Sequence, residues 1–334
     1  MKVFISGIAG FLGSHLADKF LEKGHEVVGV DNLIGGYVDN IPSNCTFWNN
    51  DMSSVEELKQ YLDGVDLIYH TACTAYEGLS VFSPGLVNTN TSGITVNLMS
   101  AAISSNIKRF VHCSSMARYG TQDTTPFTED MYCAPQDPYG ISKYSAELLL
   151  RNLAEVHGIH LTIAVPHNII GPRQKYDDPF RNVASIMINL MLQGRQPVIY
   201  GDGKQVRCFS DIADDLDCLY MFAKHDLPSG EIFNIGPDEE PVTINQLAEE
   251  IADQLSFDLK PIYLKGRPQE VKFATCSADK IRKHFGYETK ITLKQSLSNL
   301  IDYIKDRGVQ PFKYHLPLEI INEMTPESWT KKLF

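Results

Sequence analysis

A glycine-rich turn close to the start of the chain constrains the fold most strongly. The apolar segment Val3-Phe4-Ile5-Ser6 leads into Gly7, and Gly10 and Gly13 follow at intervals of three residues. A helical pattern and a second apolar segment come next, and the second segment ends at Asp31. A strand, a glycine turn and a helix in one unit of about 30 residues are the context that a dinucleotide fingerprint requires. The glycines would let the backbone approach a pyrophosphate, and the helix N-terminus would supply N–H donors.

Asp31 indicates which dinucleotide such a turn would bind. It stands at the end of the second strand, where a carboxylate can accept hydrogen bonds from the adenosine ribose. The same negative charge would repel a 2′-phosphate. The sequence therefore predicts NAD, rather than NADP, as the cofactor.

Strand and helix patterns continue to alternate through the first half of the chain. Four further apolar segments separated by helical patterns lie at 45–48, 66–70, 109–113 and 161–165. Alternation of this kind predicts an α/β fold with a Rossmann-type doubly wound parallel sheet. Ligands of such sheets bind at the carboxyl ends of the strands, and Asp31, Ala72 and Ser115 stand beside or shortly after such ends.

The second half of the chain predicts a smaller α/β substrate domain that is interleaved with the first. We expect residues 1–165 to form the NAD-binding domain, with returning segments at about 212–236, and residues 166–211 and 237–334 to form the substrate domain. Helical patterns in the second half cover 183–192, 244–255 and 293–303. Residues 311–334 match no pattern that we can assign.

Composition excludes several classes of function. The formal net charge of -11, with no Lys/Arg-rich run, argues against nucleic-acid binding. Seven cysteines without a Cys-x-x-Cys pair suggest neither a disulfide framework nor a zinc site, which fits a reducing cytoplasm. No apolar run approaches the ~20 residues that span a membrane. His70, His112 and His167 are not spaced as metal ligands, and we expect no metal.

Tyr139 and Lys143 form a second candidate site. Residues four apart lie on one face of a helix, so the Lys143 ammonium can lie near the Tyr139 phenol. A nearby positive charge lowers a phenol pKa, and Tyr139 could then exchange a proton with a substrate hydroxyl near neutral pH. The alternative is a tyrosine packed against its helix and a lysine in water. The pair alone does not decide between these.

A series of short motifs runs from Met1 to at least Ala278. Its members are Gly7-x-x-Gly10-x-x-Gly13, Asp31-Asn32, Asp51-Met52, Asn90-x-x-Gly93, Ser114-Ser115, Tyr119-Gly120, Tyr139-x-x-x-Lys143, Asn168, Gly171-Pro172-Arg173-Gln174, Gly201-Asp202-Gly203, Arg207 and Gly266-Arg267-Pro268. In this order they resemble the extended short-chain dehydrogenase/reductases, and among them the NAD-dependent nucleotide-sugar epimerase/dehydratase family, most closely its UDP-hexose 4-epimerases. The resemblance covers most of the chain.

The resemblance implies a catalytic set of Ser115, Tyr139 and Lys143. The serine hydroxyl would hold the sugar oxygen, the tyrosine would be the acid and base, and the lysine would lower the tyrosine pKa and hold the nicotinamide ribose. The implied NAD-binding residues are Gly7, Gly10, Phe11, Leu12, Gly13, Asp31, Asn32, Asp51, Met52, Thr71, Ala72, Asn90, Tyr139 and Lys143. The implied substrate-binding residues are Tyr76, Ser115, Met116, Tyr139, Asn168, Arg207 and Arg267.

The residues after Ser115 separate the possible reactions. Dehydratases of the family carry an acid and a base where Met116 and Ala117 stand, and decarboxylases usually carry glutamate in place of Ala117. Neither Met116 nor Ala117 transfers protons, so the resemblance implies epimerisation, most often at C4 of a UDP-hexose through a 4-keto sugar. The open alternatives are an NAD(P)H-dependent reductase of a 4-keto nucleotide sugar and, less favoured, a dehydratase, a decarboxylase or a non-catalytic NAD-sensing protein.

The chain departs from the epimerase pattern at several positions. Val165-Pro166-His167 replaces a frequent Arg-Tyr-Phe, and Arg118 occupies a position that is usually small and apolar. Lys175 stands where a basic residue could meet a sugar carboxylate. Tyr76 and Glu77 could contact sugar hydroxyls, or they could be a loop aromatic and a solvated carboxylate. By resemblance we also expect a homodimer, formed through the helices that follow Asn90 and contain Tyr139.

Overall fold

The computed structural model describes residues 1–334, which form fourteen strands and twelve α-helices. The strands are β1 (Lys2–Ser6), β2 (Glu26–Asp31), β3 (Thr46–Asn49), β4 (Leu67–His70), β5 (Arg109–Cys113), β6 (His160–Pro166), β7 (Ile169–Ile170), β8 (Val198–Tyr200), β9 (Val206–Arg207), β10 (Ser210–Asp211), β11 (Glu231–Ile235), β12 (Val242–Thr243), β13 (Ile262–Leu264) and β14 (Phe273–Ala274).

The helices are α1 (Phe11–Glu22), α2 (Val55–Tyr61), α3 (Glu77–Ser80), α4 (Pro84–Asn88), α5 (Ile94–Ser104), α6 (Pro138–His157), α7 (Val183–Leu192), α8 (Ile212–Met221), α9 (Ile244–Leu255), α10 (Asp279–Phe285), α11 (Leu293–Arg307) and α12 (Glu327–Thr330). A π-helical turn at Thr89–Gly93 precedes α5. No helix is long and apolar enough to cross a membrane.

Seven strands form one parallel sheet in the order β11-β6-β5-β4-β1-β2-β3. Successive side chains along these buried strands point to opposite faces, so Phe4 enters one apolar core, and Val3 and Ile5 enter the other. Helices cover both faces. The structure confirms the predicted doubly wound Rossmann-type fold, and the carboxyl ends of its strands face one cavity.

Helix α6 begins and ends where its sequence dictates. Asp137 accepts a hydrogen bond from the Gly140 N–H at 2.9 Å as the N-cap, Pro138 occupies the first turn, and Gly158 follows the helix at φ +67°. One buried stripe of the helix contains Tyr139 and Lys143. This register turns both side chains towards the carboxyl end of β5.

A third apolar core lies between α7, α9 and α11 and contains Met187, Leu247 and Leu300. Small sheets of the orders β12-β9-β14, β13-β8 and β10-β7 connect this region to the cavity. The predicted division at residues 165 and 166 stays a prediction, as does the substrate domain of 166–211 and 237–334.

Residues 311–334, which match no assignable sequence pattern, border the cavity through Trp329 and Phe334. Two backbone N–H groups at the start of α4, those of Gly85 and Leu86, donate to the Glu319 carboxylate at 2.8 and 2.7 Å. The Ser83 hydroxyl donates to the Pro317 carbonyl at 2.6 Å. Trp329 is 3% exposed and packs against Phe82 and Phe180 in a small aromatic cluster.

Candidate active site

One cavity of about 400 Å³ lies at the carboxyl ends of the parallel strands. All residues that the sequence analysis assigned to NAD, substrate or catalysis line this cavity: Gly7, Gly10, Phe11, Leu12, Gly13, Asp31, Asn32, Asp51, Met52, Thr71, Ala72, Tyr76, Asn90, Ser115, Met116, Tyr139, Lys143, Asn168, Arg207 and Arg267. The fold thus brings the predicted site residues together. Their individual roles stay predictions.

The glycine turn has no room for side chains. Gly7 has φ +75°, and a Cβ on Gly13 would lie 2.1 Å from the Gly7 carbonyl oxygen. The turn can be this tight only with hydrogen at these positions, and it leaves the N-terminus of α1 open to the cavity. The cradle therefore fits a dinucleotide pyrophosphate.

Asp31 is buried at the end of β2 and accepts two backbone hydrogen bonds. The Ala9 N–H donates to its Oδ2 at 3.0 Å, and the Leu33 N–H donates to its Oδ1 at 2.7 Å. Burial raises the pKa of the Asp31 carboxyl, and these N–H groups act against that rise. Since each carboxylate oxygen can accept more than one hydrogen bond, Asp31 retains acceptor capacity towards a ribose. Asn32 Oδ1 accepts from the Ile34 N–H at 3.2 Å.

The remaining predicted NAD-binding residues follow other strands of the sheet. Asp51 is exposed and accepts from the Ser53 N–H at 2.9 Å, whereas Met52 is 3% exposed. The Thr71 hydroxyl donates to a β1 carbonyl at 2.6 Å and thereby joins the ends of β1 and β4. Asn90 lies in the π-helical turn before α5, an irregularity that is frequent at functional sites.

Ser115, Tyr139 and Lys143 meet where β5 ends and α6 begins. The Ser115 hydroxyl caps a short turn by accepting from the Ala117 N–H at 3.2 Å, and it lowers the pKa of the Tyr139 phenol. Lys143 is 1% exposed and donates to the Cys113 carbonyl at 2.7 Å. The three polar groups thus face one point of the cavity.

The electrostatics of Tyr139 differ from the expectation. Burial raises the pKa of the phenol well above its usual value, and this outweighs the Ser115 hydroxyl and the Arg181 charge, which lower it. Lys143 is not among the strongest of these influences, and the predicted lowering of the Tyr139 pKa by Lys143 stays a prediction. Helical spacing brings both side chains to one face, but it does not determine the acceptor of the ammonium, and here that acceptor is the Cys113 carbonyl.

Two arginines of the predicted site also line the cavity. The Arg267 guanidinium lies 4.8 Å from the centre of the Tyr200 ring and forms an ion pair with Glu270 at 2.8 Å. Arg207 donates to the Val206 carbonyl at 2.8 Å, and burial lowers its pKa. Both line the cavity instead of pointing into bulk water, so the interpretation as surface arginines does not hold. Two guanidinium groups here fit a diphosphate.

The other predicted substrate residues also border the cavity. Asn168 donates to the Cys208 carbonyl at 2.9 Å and approaches Met116 Sδ at 3.7 Å. Tyr76 is 2% exposed, and its hydroxyl donates to Asp178 Oδ2 at 2.6 Å. The Tyr76 hydroxyl is therefore engaged within the protein, although its ring borders the cavity.

The departures from the epimerase pattern have structural partners. Arg118 forms an ion pair with Glu147 at 2.9 Å, and both side chains are almost fully buried. His167 Nε2 lies 2.8 Å from the Pro237 carbonyl. Lys175 lies 3.6 Å from Asp177 Oδ1 and over the Tyr37 ring.

The sequence analysis missed several residues that line the cavity, among them Cys73, Arg181, Asn182, Trp329 and Phe334. Cys73 directly follows the predicted Ala72, so its place at a strand end could have revealed it. Arg181 and Phe334 lie in irregular segments and Trp329 lies in the four-residue helix α12, so no local periodicity indicates them. No cluster of three or more His, Cys, Asp or Glu side chains could hold a metal ion, and all seven cysteines are free thiols.

Comparison with known proteins gives one family and several relatives. A profile of the NAD dependent epimerase/dehydratase family matches residues 3–236. The structure of UDP-glucose 4-epimerase from Thermotoga maritima, solved with UDP-glucose, is 29% identical and superposes with a TM-score of 0.86 over 92% of this chain and 99% of that chain. UDP-glucuronic acid 4-epimerase from Bacillus cereus, in complex with UDP-glucuronic acid and NAD, is 27% identical and has a TM-score of 0.86 over 92% of this chain and 100% of that chain.

A relative with a different activity is also similar. UDP-N-acetyl-alpha-D-glucosaminuronate decarboxylase from Bacillus cytotoxicus is 29% identical over 323 residues, which are 91% of this chain and 98% of the relative. The profile match and the glycine cradle agree on the cofactor, which is NAD. The chain belongs to the NAD dependent epimerase/dehydratase family.

Proposed function

We propose that the protein epimerises a nucleoside-diphosphate sugar, most simply at C4 of a UDP-hexose through a 4-keto sugar. The observation that supports this most is that one cavity is lined by Ser115, Tyr139 and Lys143, by the glycine cradle and by two arginines. Bound NAD would supply the hydride acceptor for C4 and, once the 4-keto sugar has rotated in the cavity, the hydride donor for its opposite face. The protein's own residues would then bind, orient and move the proton.

Tyr139 would move that proton. Its phenolate would take the proton from the 4-hydroxyl while the C4–H bond breaks, and the phenol would return the proton to the same oxygen when a C–H bond forms on the other face. Burial opposes the phenolate, so stabilising groups matter. The Ser115 hydroxyl can donate to the phenolate or to the sugar oxygen, since its own oxygen already accepts from the Ala117 N–H.

Lys143 and the arginines would position the ligands. Lys143, fixed by the Cys113 carbonyl, would donate its remaining protons to the nicotinamide ribose. Arg207 and Arg267 would bind the diphosphate, and the Tyr200 ring that supports Arg267 would keep its guanidinium plane in place. We also propose that the other residues predicted to bind NAD, from Gly7 to Asn90, do so.

The residues beside Ser115 favour epimerisation over elimination. Met116 and Ala117 offer neither an acid nor a base, and dehydration needs both beside the sugar. Decarboxylation is the second candidate because a relative named for that activity matches nearly all of this chain. It would release CO₂ from a sugar acid, whereas epimerisation conserves every atom of the substrate.

The finer properties follow the same proposal. We propose a homodimer because Ile141, Leu148 and Leu149 on α6 are 52, 51 and 40% exposed, an apolar face that a second copy could cover. Seven unpaired cysteines support a reducing cytoplasm. We also propose the division into an NAD-binding and a nucleotide-sugar-binding domain at the boundaries given above.

Incubation of the purified protein with UDP-glucose, UDP-N-acetylglucosamine and UDP-glucuronate, followed by proton NMR of the products, tests the proposal. We expect a C4 epimer from at least one of them without added cofactor. Tyr139→Phe should lower that rate by about 10²–10⁴-fold. A variant that retains full turnover would remove Tyr139 from the mechanism. A product that has lost water or CO₂ would show that the reaction is dehydration or decarboxylation and not epimerisation.

A further inference from the structure

Arg181 is the cation of the cavity that lacks a partner. Its half-buried guanidinium lies 5.7 Å from the centre of the Tyr76 ring, with no carboxylate oxygen within 4.0 Å and no hydrogen-bond acceptor. Lys143 is bound to a carbonyl, and Arg267 is paired with Glu270. The contact with the Tyr76 ring replaces the lost hydration of this half-buried guanidinium only in part, and a bound anion would supply charge-assisted hydrogen bonds.

The acid nearest to Arg181 in sequence does not fill this role. Asp178 Oδ2 accepts from the Tyr76 hydroxyl at 2.6 Å, and Asp178 Oδ1 accepts from the Phe180 N–H at 2.8 Å. Each oxygen thus has a partner within the protein, and neither lies within 4.0 Å of an Arg181 nitrogen. Arg181 remains free to bind a ligand.

Arg181 acts at the reactive end of the cavity. It lies over the Tyr76 ring, and Ala75, the residue before Tyr76, packs in the small apolar cluster that contains Tyr139. The charge of Arg181 also lowers the pKa of Tyr139. Arg207 and Arg267 also line the cavity, and two guanidinium groups can bind a diphosphate. Arg181 is therefore not needed for the diphosphate.

A hexuronic acid carries its carboxylate next to the carbon that reacts. In a hexuronic acid the carboxylate carbon C6 is attached to C5, the neighbour of the reacting C4. When the 4-hydroxyl meets Tyr139, the carboxylate is consequently close to the same side chain. A planar guanidinium fork matches a carboxylate in geometry and charge.

The 311–334 segment holds this arrangement in place. Trp329 packs against Phe180 with ring centres 5.3 Å apart, and Phe180 packs against Tyr76 at 6.4 Å. Arg181 follows Phe180 directly and lies over the same Tyr76 ring. Trp329 therefore restricts the position of Phe180, and through it the position of the guanidinium.

We propose that Arg181 binds a carboxylate on the sugar, so that the preferred substrate is a nucleoside-diphosphate hexuronate, and that Trp329 positions Arg181. The inference rests on the proposed function, since it assumes that the sugar enters this cavity with C4 at Tyr139. It adds the substrate class and the residue that selects it.

The test compares UDP-glucuronate with UDP-glucose. We expect wild-type protein to prefer UDP-glucuronate, and Arg181→Gln to lower kcat/KM for UDP-glucuronate by about 10- to 100-fold, the value of a charge-assisted hydrogen bond. UDP binding should change by less than about twofold, and the loss for UDP-glucose should stay well below the loss for UDP-glucuronate, because it reflects only the charge of Arg181 on Tyr139. Arg181→Lys should lose less than Arg181→Gln, since a point charge remains without the fork.

Two further variants separate positioning from general damage. Trp329→Leu should raise KM for UDP-glucuronate while kcat and NAD content stay unchanged, whereas a merely structural role would lower turnover of both sugars alike. Arg151→Gln is the matched control, because Arg151 lies outside the cavity without an ion pair and its loss removes the same charge. It should leave both substrates unaffected.

The outcomes distinguish this inference from the proposed function. Epimerisation of UDP-glucose but not of UDP-glucuronate by wild-type protein would overturn the inference and leave the proposed function intact. An equal loss of UDP binding and UDP-glucuronate binding in Arg181→Gln would also overturn it, because the guanidinium would then bind the diphosphate. Release of CO₂ from UDP-glucuronate would support a sugar acid as the substrate and would overturn epimerisation as the reaction.

Discussion

The buried ion pair beside the candidate active site allows a prediction with a defined sign. Arg118 and Glu147 are 4 and 0% exposed, and their nearest atoms are 2.9 Å apart. The Ser114 hydroxyl also donates to Glu147, which ties the carboxylate to the turn that contains Ser115. Burial already raises the pKa of Glu147, and Arg118 opposes that rise. Arg118→Met would leave the carboxylate buried without its counter-charge.

The expected loss in the free energy of unfolding is about 3–5 kcal/mol, which is typical when one partner of a buried pair is removed. Without Arg118 the pKa of Glu147 rises further in the folded protein, which then binds more protons than the unfolded chain. Stability must therefore fall as pH rises above the carboxyl's unfolded pKa. We expect a larger loss for Arg118→Met at pH 8 than at pH 5.5.

Urea denaturation followed by intrinsic fluorescence at both pH values measures this. The double variant Arg118→Met with Glu147→Gln keeps an acceptor for the Ser114 hydroxyl but no buried charge. Its stability should therefore recover most of the loss, and the remaining loss should no longer depend on pH. Lys59→Met is the control: it breaks an exposed pair with Glu56, worth less than about 1 kcal/mol. A loss in Arg118→Met as small as the control's, or one independent of pH, would refute the reasoning.

Three further predictions concern the cavity and its helix. Gly13→Ala would place a Cβ 2.1 Å from the Gly7 carbonyl oxygen and should weaken NAD binding about tenfold or more by calorimetry, whereas Gly93→Ala, with no atom closer than 3.8 Å, should not. Burial and a neighbouring carboxylate raise the pKa of Asp137 to about 6. The folded protein therefore gains protons relative to the unfolded chain between about pH 4 and 6, and thermal stability should fall as pH rises through that window, by about 3 kcal/mol in total. Asp137→Asn keeps the N-cap and should abolish this fall. Arg267→Gln should weaken UDP binding about tenfold by calorimetry, and unchanged affinity would exclude Arg267 from the diphosphate site.

Helices with strong local patterns could be predicted from the sequence almost to the residue. The expected segments 183–192 and 244–255 coincide with α7 and α9, since each carries an apolar stripe and starts at a capping side chain, Asn182 or Thr243. The helix expected from about Asn90 has α-helical geometry only from Ile94, because a π-helical turn precedes it. No periodicity in the sequence distinguishes that turn from an α-helical one.

The candidate site divides in the same way. Motif residues such as Gly13 and Tyr139 act at short range, so their sequence context places them in the cavity. Arg181 lies in an irregular segment and Trp329 in the four-residue helix α12, and the two come together only in the folded protein, where the Phe180 and Trp329 rings meet. The Arg118 partner is hidden for the same reason, because Glu147 lies 29 residues further along the chain.

The fate of the hydrogen on C4 tests the central claim most directly. UDP-glucose and UDP-glucuronate deuterated at C4 would be incubated with the protein in ordinary water, and the epimer would be examined by NMR. If the hydride leaves C4 and returns within one closed site while Tyr139 moves only the hydroxyl proton, the epimer retains deuterium at C4. Loss of the label to water, or the absence of a C4 epimer from any UDP-sugar, would contradict the mechanism.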